Sequence, residues 1–220
     1  MNENIELILI NIFGQDRPGL TSTLTGILAE HEANILDIGQ ADIQHTLSLG
    51  ILFRTDSRQS GDILKELLFK ASELNVNIKF TPIPVEEYEK WVGMQGKNRY
   101  VITILGRHIT ARQIAEVTKV ITMQGLNIDA IQRLTGRMPL AELNDEEGKT
   151  KGCIEFSVRG NPKDYAKMQR DFMALANKLE FDISLQQDTM FRRCRRLICF
   201  DMDSTLIETE VIDELAEKAG

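Results

Sequence analysis

Apolar residues recur along this chain at two spacings, and the order of those spacings predicts its elements. Residues 5–13, Ile-Glu-Leu-Ile-Leu-Ile-Asn-Ile-Phe, are half-alternating and rich in β-branched side chains, which predicts a strand. Gly14-Gln-Asp-Arg-Pro-Gly19 breaks the pattern. Residues 20–31 then place Leu20, Leu24, Ile27 and Leu28 on one helical face. Strands are predicted over 35–43 and 47–53, a helix over 62–74 and a strand over 76–83. The order is β-α-β-β-α-β.

A polar stretch, residues 85–98, follows, with Tyr88 and Trp91 able to anchor it. The same order then begins again. A strand is predicted over 99–105, a turn over 106–110, a helix over 111–124 and a strand over 127–134. After an acidic loop, 136–151, come a strand over 153–159, a helix over 162–179 opened by Pro162, and a strand over 181–186. Asn34-Ile35 with Ile38 matches Asn127-Ile128 with Ile131, and Gly14 and Gly106 each end a first strand. The halves are an internal repeat.

The last thirty residues do not belong to the repeat. Leu197-Ile198-Cys199-Phe200 is continuously apolar, as suits a strand covered on both faces of a parallel sheet. It runs into Asp201-Met202-Asp203-Ser204-Thr205. Ile207, Val211, Ile212, Leu215, Ala216 and Ala219 then fall at helical spacing, with Gly220 as a C-terminal cap. Two carboxylates one residue apart on a turn can face one cavity, one attacking phosphorus while the other moves protons. Carboxylate oxygens suit Mg²⁺, and the amides of a turn and helix start suit phosphate. Taken alone, the five residues also read as a helix-capping turn.

Phe200 to Leu206, followed by Glu208-Thr-Glu-Val-Ile-Asp-Glu-Leu-Ala216, resembles the first motif of the haloacid-dehalogenase superfamily, in its phosphoserine phosphatase branch. The resemblance implies Asp201 as nucleophile and Asp203 as acid/base. It implies a Mg²⁺ site at Asp201 and the Met202 carbonyl, with Asp203 counted alongside. Glu210 is implied as the contact for the substrate ammonium group, with Ser204 and Thr205 beside it and Thr205 buttressing the nucleophile. The activity implied is hydrolysis of L-phosphoserine to L-serine and phosphate through an aspartyl-phosphate, the last step of serine biosynthesis. The superfamily's remaining groups lie downstream of this motif, on the order of 100 or more residues further. The chain is therefore expected to be an amino-terminal portion, inactive alone. Its final strand and helix cannot bury both faces by themselves.

The two repeats resemble a tandem pair of ACT domains, ferredoxin-like sensors of small molecules on enzymes of amino-acid metabolism. The expected fold class is α+β. Residues 1–84 and 99–190 form the two ACT domains, 85–98 the linker, and 191–220 the start of a haloacid-dehalogenase-like α/β domain. The family's habit is to hold an amino acid between the first loop of one module and the second strand of its neighbour. That implies Asp16 and Gly19 in the loop and Asn34 in the strand, with serine as the regulatory ligand. The loop and Asn34 also read as plain turn residues. In the second repeat Ile109-Thr110 replaces Pro18-Gly19, so Gly106 stands in or the site is weak or absent. A homodimer is expected. The rival reading is a free-standing tandem ACT regulator.

Composition narrows this further. Thirty-three acidic against twenty-six basic residues, a net charge of −7, argue against nucleic acid as partner. No apolar run suits a membrane span. Three irregularly spaced cysteines point to a reducing cytoplasm, and three histidines show no metal-ligand spacing. Arg192, Arg193, Arg195 and Arg196 read as a solvated entry to the last strand rather than a funnel for an anionic substrate.

Overall fold

The computed structural model of the chain describes residues 4–94, 96, 98–137, 139, 152–189, 192 and 211–219. The chain divides into two compact units, Met1–Gly96 and Lys97–Gly220.

The first unit runs β1 (Ile5–Gln15), α1 (Leu20–Glu30), β2 (Asn34–Ile43), β3 (Thr46–Asp56), α2 (Ser57–Glu73), β4 (Asn77–Ile83) and α3 (Val85–Gly93). Its sheet is antiparallel in the order β2-β3-β1-β4. Alternation along β1 and β3 sends Ile8, Ile10, Ile12, Leu47, Leu49, Ile51 and Phe53 to one face. Leu20, Leu24, Ile27 and Leu28 of α1 cover that face with Ile63, Leu67 and Ala71 of α2. Each large aliphatic side chain buried there contributes about 1.5–3 kcal/mol. β2 is an edge strand, exposed along nearly all its length, with a bulge at Leu36 between Ile35 and Asp37.

The second unit repeats the plan with β5 (Arg99–Gly106), α4 (Ala111–Met123), β6 (Asn127–Arg133), β7 (Gly152–Arg159), α5 (Tyr165–Leu179) and β8 (Asp182–Gln187). Strand order is β6-β7-β5-β8, again antiparallel. Ile102, Ile104, Phe156 and Val158 meet Val117 and Ile121 of α4 and Met168 and Phe172 of α5. A bulge at Asp129, between Ile128 and Ala130, falls at the position of the bulge in β2. Both units therefore have the expected β-α-β-β-α-β order. A last helix, α6 (Val211–Ala219), falls where the spacing predicts one.

Four local features differ from the sequence expectation. α2 begins at Ser57, five residues before the apolar periodicity starts, because the Asp56 carboxylate accepts the Arg58 N–H at 2.9 Å and caps it. α5 begins at Tyr165 rather than in the turn of Pro162, because Asp164 accepts the Lys167 N–H at 2.8 Å. The polar stretch from 85 is helical over Val85–Gly93, and its Tyr88 and Trp91 rings lie 5.9 Å apart. Arg192 is part-buried and paired rather than free in solvent. It donates to Glu155 Oε2 at 3.2 Å and Gln186 Oε1 at 3.3 Å, side chains on the sheet face turned away from α4 and α5. Most of the acidic loop, 136–151, and the strand expected over 197–200 lie outside the described residues.

Candidate functional site

The carboxylate motif, with Asp201, Met202, Asp203, Ser204, Thr205 and Glu210, lies outside the described residues. Among the described residues, no group of three or more His, Cys, Asp or Glu converges to hold a metal. No helix among them is long and apolar enough to cross a membrane.

The loop after β1 is built as a pinned corner. Asp16 N–H donates to the His45 carbonyl at 2.7 Å, and Arg17 Nη2 donates to the Leu74 carbonyl at 2.6 Å. Gly19 follows at φ 90°, a left-handed conformation that L side chains disfavour, and serves as the N-cap of α1. No side chain caps this helix, and a Cβ at Gly19 would meet nothing within 4 Å. The corner thus offers first-turn amides and the positive end of the helix dipole to an approaching carboxylate. Thr21 Oγ1 donates to Gln40 Oε1 at 3.1 Å, tying that first turn to β2.

Asn34 is not at this corner. It begins β2 opposite Arg54, whereas Gly14, at the loop end, lies opposite Leu47. Leu47 and Arg54 are seven strand steps apart, about 23 Å at the usual rise. Asp16 and Gly19 are brought together; Asn34 sits at the other end of the same sheet. A small ligand touching both would have to bridge two modules.

Gly106 occupies a packing position. A Cβ there would lie 3.4 Å from Phe181 Cβ, and at its counterpart Gly14 a Cβ would lie 2.6 Å from Val76 Cγ1. In each unit the residue that leads into the last strand covers the end of the first. Gly106 also borders a cavity of about 780 Å³ with Arg107, His108, Glu180 and Asp182.

The two corners are filled differently. Leu47, opposite Gly14, is fully buried. Its counterpart opposite Gly106 is Gly152, and a Cβ there would come within 2.7 Å of Ile109 Cγ1. In the second unit the loop residue Ile109 therefore fills core space that the strand residue fills in the first.

Sequence reasoning did not single out Arg17, Arg54 or the pair Asp129 and Arg159. Aligning the repeats by Asn34 and Asn127 would have raised the last three, since the runs predicted as third strands, 47–53 and 153–159, lead to Arg54 and Arg159. At the start of α2, Arg58 bonds to Asp56 and holds that carboxyl at about 2, well below its ordinary value.

Comparison with known proteins agrees with this architecture. An ACT-domain family model matches residues 6–81 and another matches residues 99–186. Over 97% of its length the chain is 28% identical to phosphoserine phosphatase SerB2 of Mycobacterium tuberculosis. Over 99% it is 29% identical to a phosphoserine phosphatase of Streptomyces coelicolor. Each alignment takes in 48% of the relative, so the chain spans about half the length of the curated relatives it matches. A solved structure from Galdieria sulphuraria, described as an unknown protein, superposes with a TM-score of 0.66 at 17% identity. It covers 84% of this chain and 99% of that one, a likeness of fold. With two matched copies accounting for most of its residues, the chain belongs to the ACT-domain family.

Proposed function

We propose that the chain is the sensing portion of a phosphoserine phosphatase, together with the first catalytic motif of that enzyme. One observation carries this reading. Similarity to two phosphoserine phosphatases extends over 97% and 99% of the chain, so it cannot stop at the ACT pair and must take in Asp201 to Thr205. A free-standing sensor has no use for that motif.

In the proposed reaction an Asp201 carboxylate oxygen attacks the phosphorus of L-phosphoserine and the bond from phosphorus to the serine oxygen breaks. The Asp203 carboxyl gives its proton to that oxygen. Water then attacks the phosphorus of the aspartyl-phosphate, Asp203 takes the water's proton, and phosphate and a free Asp201 carboxylate result. Glu210 pairs with the substrate ammonium group, and Ser204 and Thr205 orient the phosphate. The oxygens of Asp201, Asp203 and the Met202 carbonyl are hard donors of the kind Mg²⁺ takes. When bound, that ion neutralises phosphate charge. The ACT pair binds an amino acid, serine by our reading, with the Asp16–Gly19 loop of one module facing the second strand of another in a homodimer.

The test is a phosphoserine hydrolysis assay on the 220-residue chain and on the product of its uninterrupted reading frame, with and without L-serine. The longer product is expected to turn over phosphoserine faster than unrelated phosphomonoesters, and Asp201→Asn is expected to abolish turnover. Near-normal activity in that variant would remove Asp201 as the nucleophile.

A further inference from the structure

The chain beyond β8 stays against the second sheet. Asp188 N–H donates to the Arg99 carbonyl at 2.8 Å, one step past the end of β8, and Arg192 N–H reaches back to the Thr189 carbonyl at 3.0 Å. Arg192 Nε donates to Gln186 of β8 and Nη2 to Glu155 of β7, while Nη1 lies 3.9 Å from Asp188 Oδ1. Gln186 is paired with Val101 and Glu155 with Thr103, so one guanidinium bridges the strands on either side of β5. Val101, beneath that bridge on the face turned away from α4 and α5, is only 3% exposed.

The internal repeat supplies a control. With Gly106 aligned on Gly14, the register of the first sheet places Gly50, Thr81 and Ile83 where Glu155, Gln186 and Asp188 stand in the second. None of the three is charged, so the first sheet offers an arginine no carboxylate at these positions. The acidic clasp belongs to the module that adjoins the carboxylate motif. Arg192 precedes Asp201 by nine residues, a reach of about 30 Å when fully extended.

We propose that Arg192 is a latch: it ties the entry of the carboxylate motif to the second module and is the contact through which that module's state reaches the motif. The planar guanidinium grips Glu155 and Gln186 at a fixed separation, which a lysine cannot do. A ligand that changes how β7 and β8 lie about β5 therefore biases the latch between closed and released. The latch stands on the geometry alone. Only its effect on catalysis rests on reading the chain as the sensing portion of a phosphoserine phosphatase.

The test is limited trypsin digestion of the 220-residue chain, with cuts after Arg193, Arg195 and Arg196 followed by mass spectrometry. When opening is fast relative to cutting, the rate at these sites tracks the released population. Glu155→Gln and Arg192→Gln keep all three sites. Each is expected to raise the rate roughly fivefold or more by removing a charge-assisted bond, with sites in the first unit cut as before. The double variant is expected to go no further than either single one. Unchanged rates, or two effects that multiply, would overturn the latch. On the product of the uninterrupted reading frame, Arg192→Gln is expected to keep L-serine binding by calorimetry and to lose most of the response of phosphoserine turnover to L-serine. A full response in that variant, or none in the parent, would overturn the coupling. A parent that does not hydrolyse phosphoserine would sink the phosphatase reading, and the latch would stand or fall by trypsin.

Discussion

Ile109 stands where a side chain at Gly152 would have to go, 2.7 Å from the position of its Cβ. The glycine in β7 and the isoleucine in the preceding loop are one packing solution shared between two elements. In the first unit a single buried leucine, Leu47, fills the matching space.

Gly152→Ala is accordingly expected to destabilise the second unit by about 1–3 kcal/mol, the usual range for overpacking. Ile109→Ala in the same chain is expected to restore part of the loss. Urea denaturation of the two single variants and the double variant gives the coupling. Strict additivity would show that the two side chains do not compete for this space.

The cap on α2 gives a pH dependence with a defined sign. Arg58 bonds to Asp56 and holds its carboxyl at about 2 in the fold, against 3.8 ordinarily. The folded chain therefore binds the proton more weakly than the unfolded one. The stabilisation is complete above about pH 3.8 and is lost as pH falls through about 2. Asp56→Asn should melt below the parent at neutral pH, with the gap closing across that window and shrinking in high salt. A gap of the same size at neutral pH and near pH 2 would show that the charge contributes nothing.

Gly19 links conformation to binding. At φ 90°, valine there is expected to cost roughly 1–2 kcal/mol in backbone strain and to leave the core of the first unit folded. Its methyl groups would also screen the open amides of α1. Calorimetry on the folded variant should show weakened L-serine binding. An unchanged affinity would move the ligand away from this loop.

Much of the fold was legible because burial writes itself into spacing. Ile8, Ile10 and Ile12 alternate, Leu20, Leu24 and Leu28 recur every four residues, and each set reaches the core. What spacing cannot show is a helix start held by a polar cap. Ser57-Arg-Gln-Ser-Gly61 carries no apolar stripe, and its start is held by the Asp56 carboxylate that caps it. Nor can it show that Gly106 is small because Phe181 lies over it, or that Arg192 folds back on Glu155. For the candidate site, Asp16 and Gly19 were readable as one loop. The separation of Asn34 from them follows from strand register, which no single residue announces.

The bulges at Leu36 and Asp129 leave one residue of each edge strand outside the ladder of paired positions. Such a residue can change from aliphatic to acidic without shifting the register of any neighbour. Duplicated copies of one architecture can therefore diverge in chemistry at that single position while their sheets stay superimposable, and a gene carrying both can specialise one copy without endangering the folding of either.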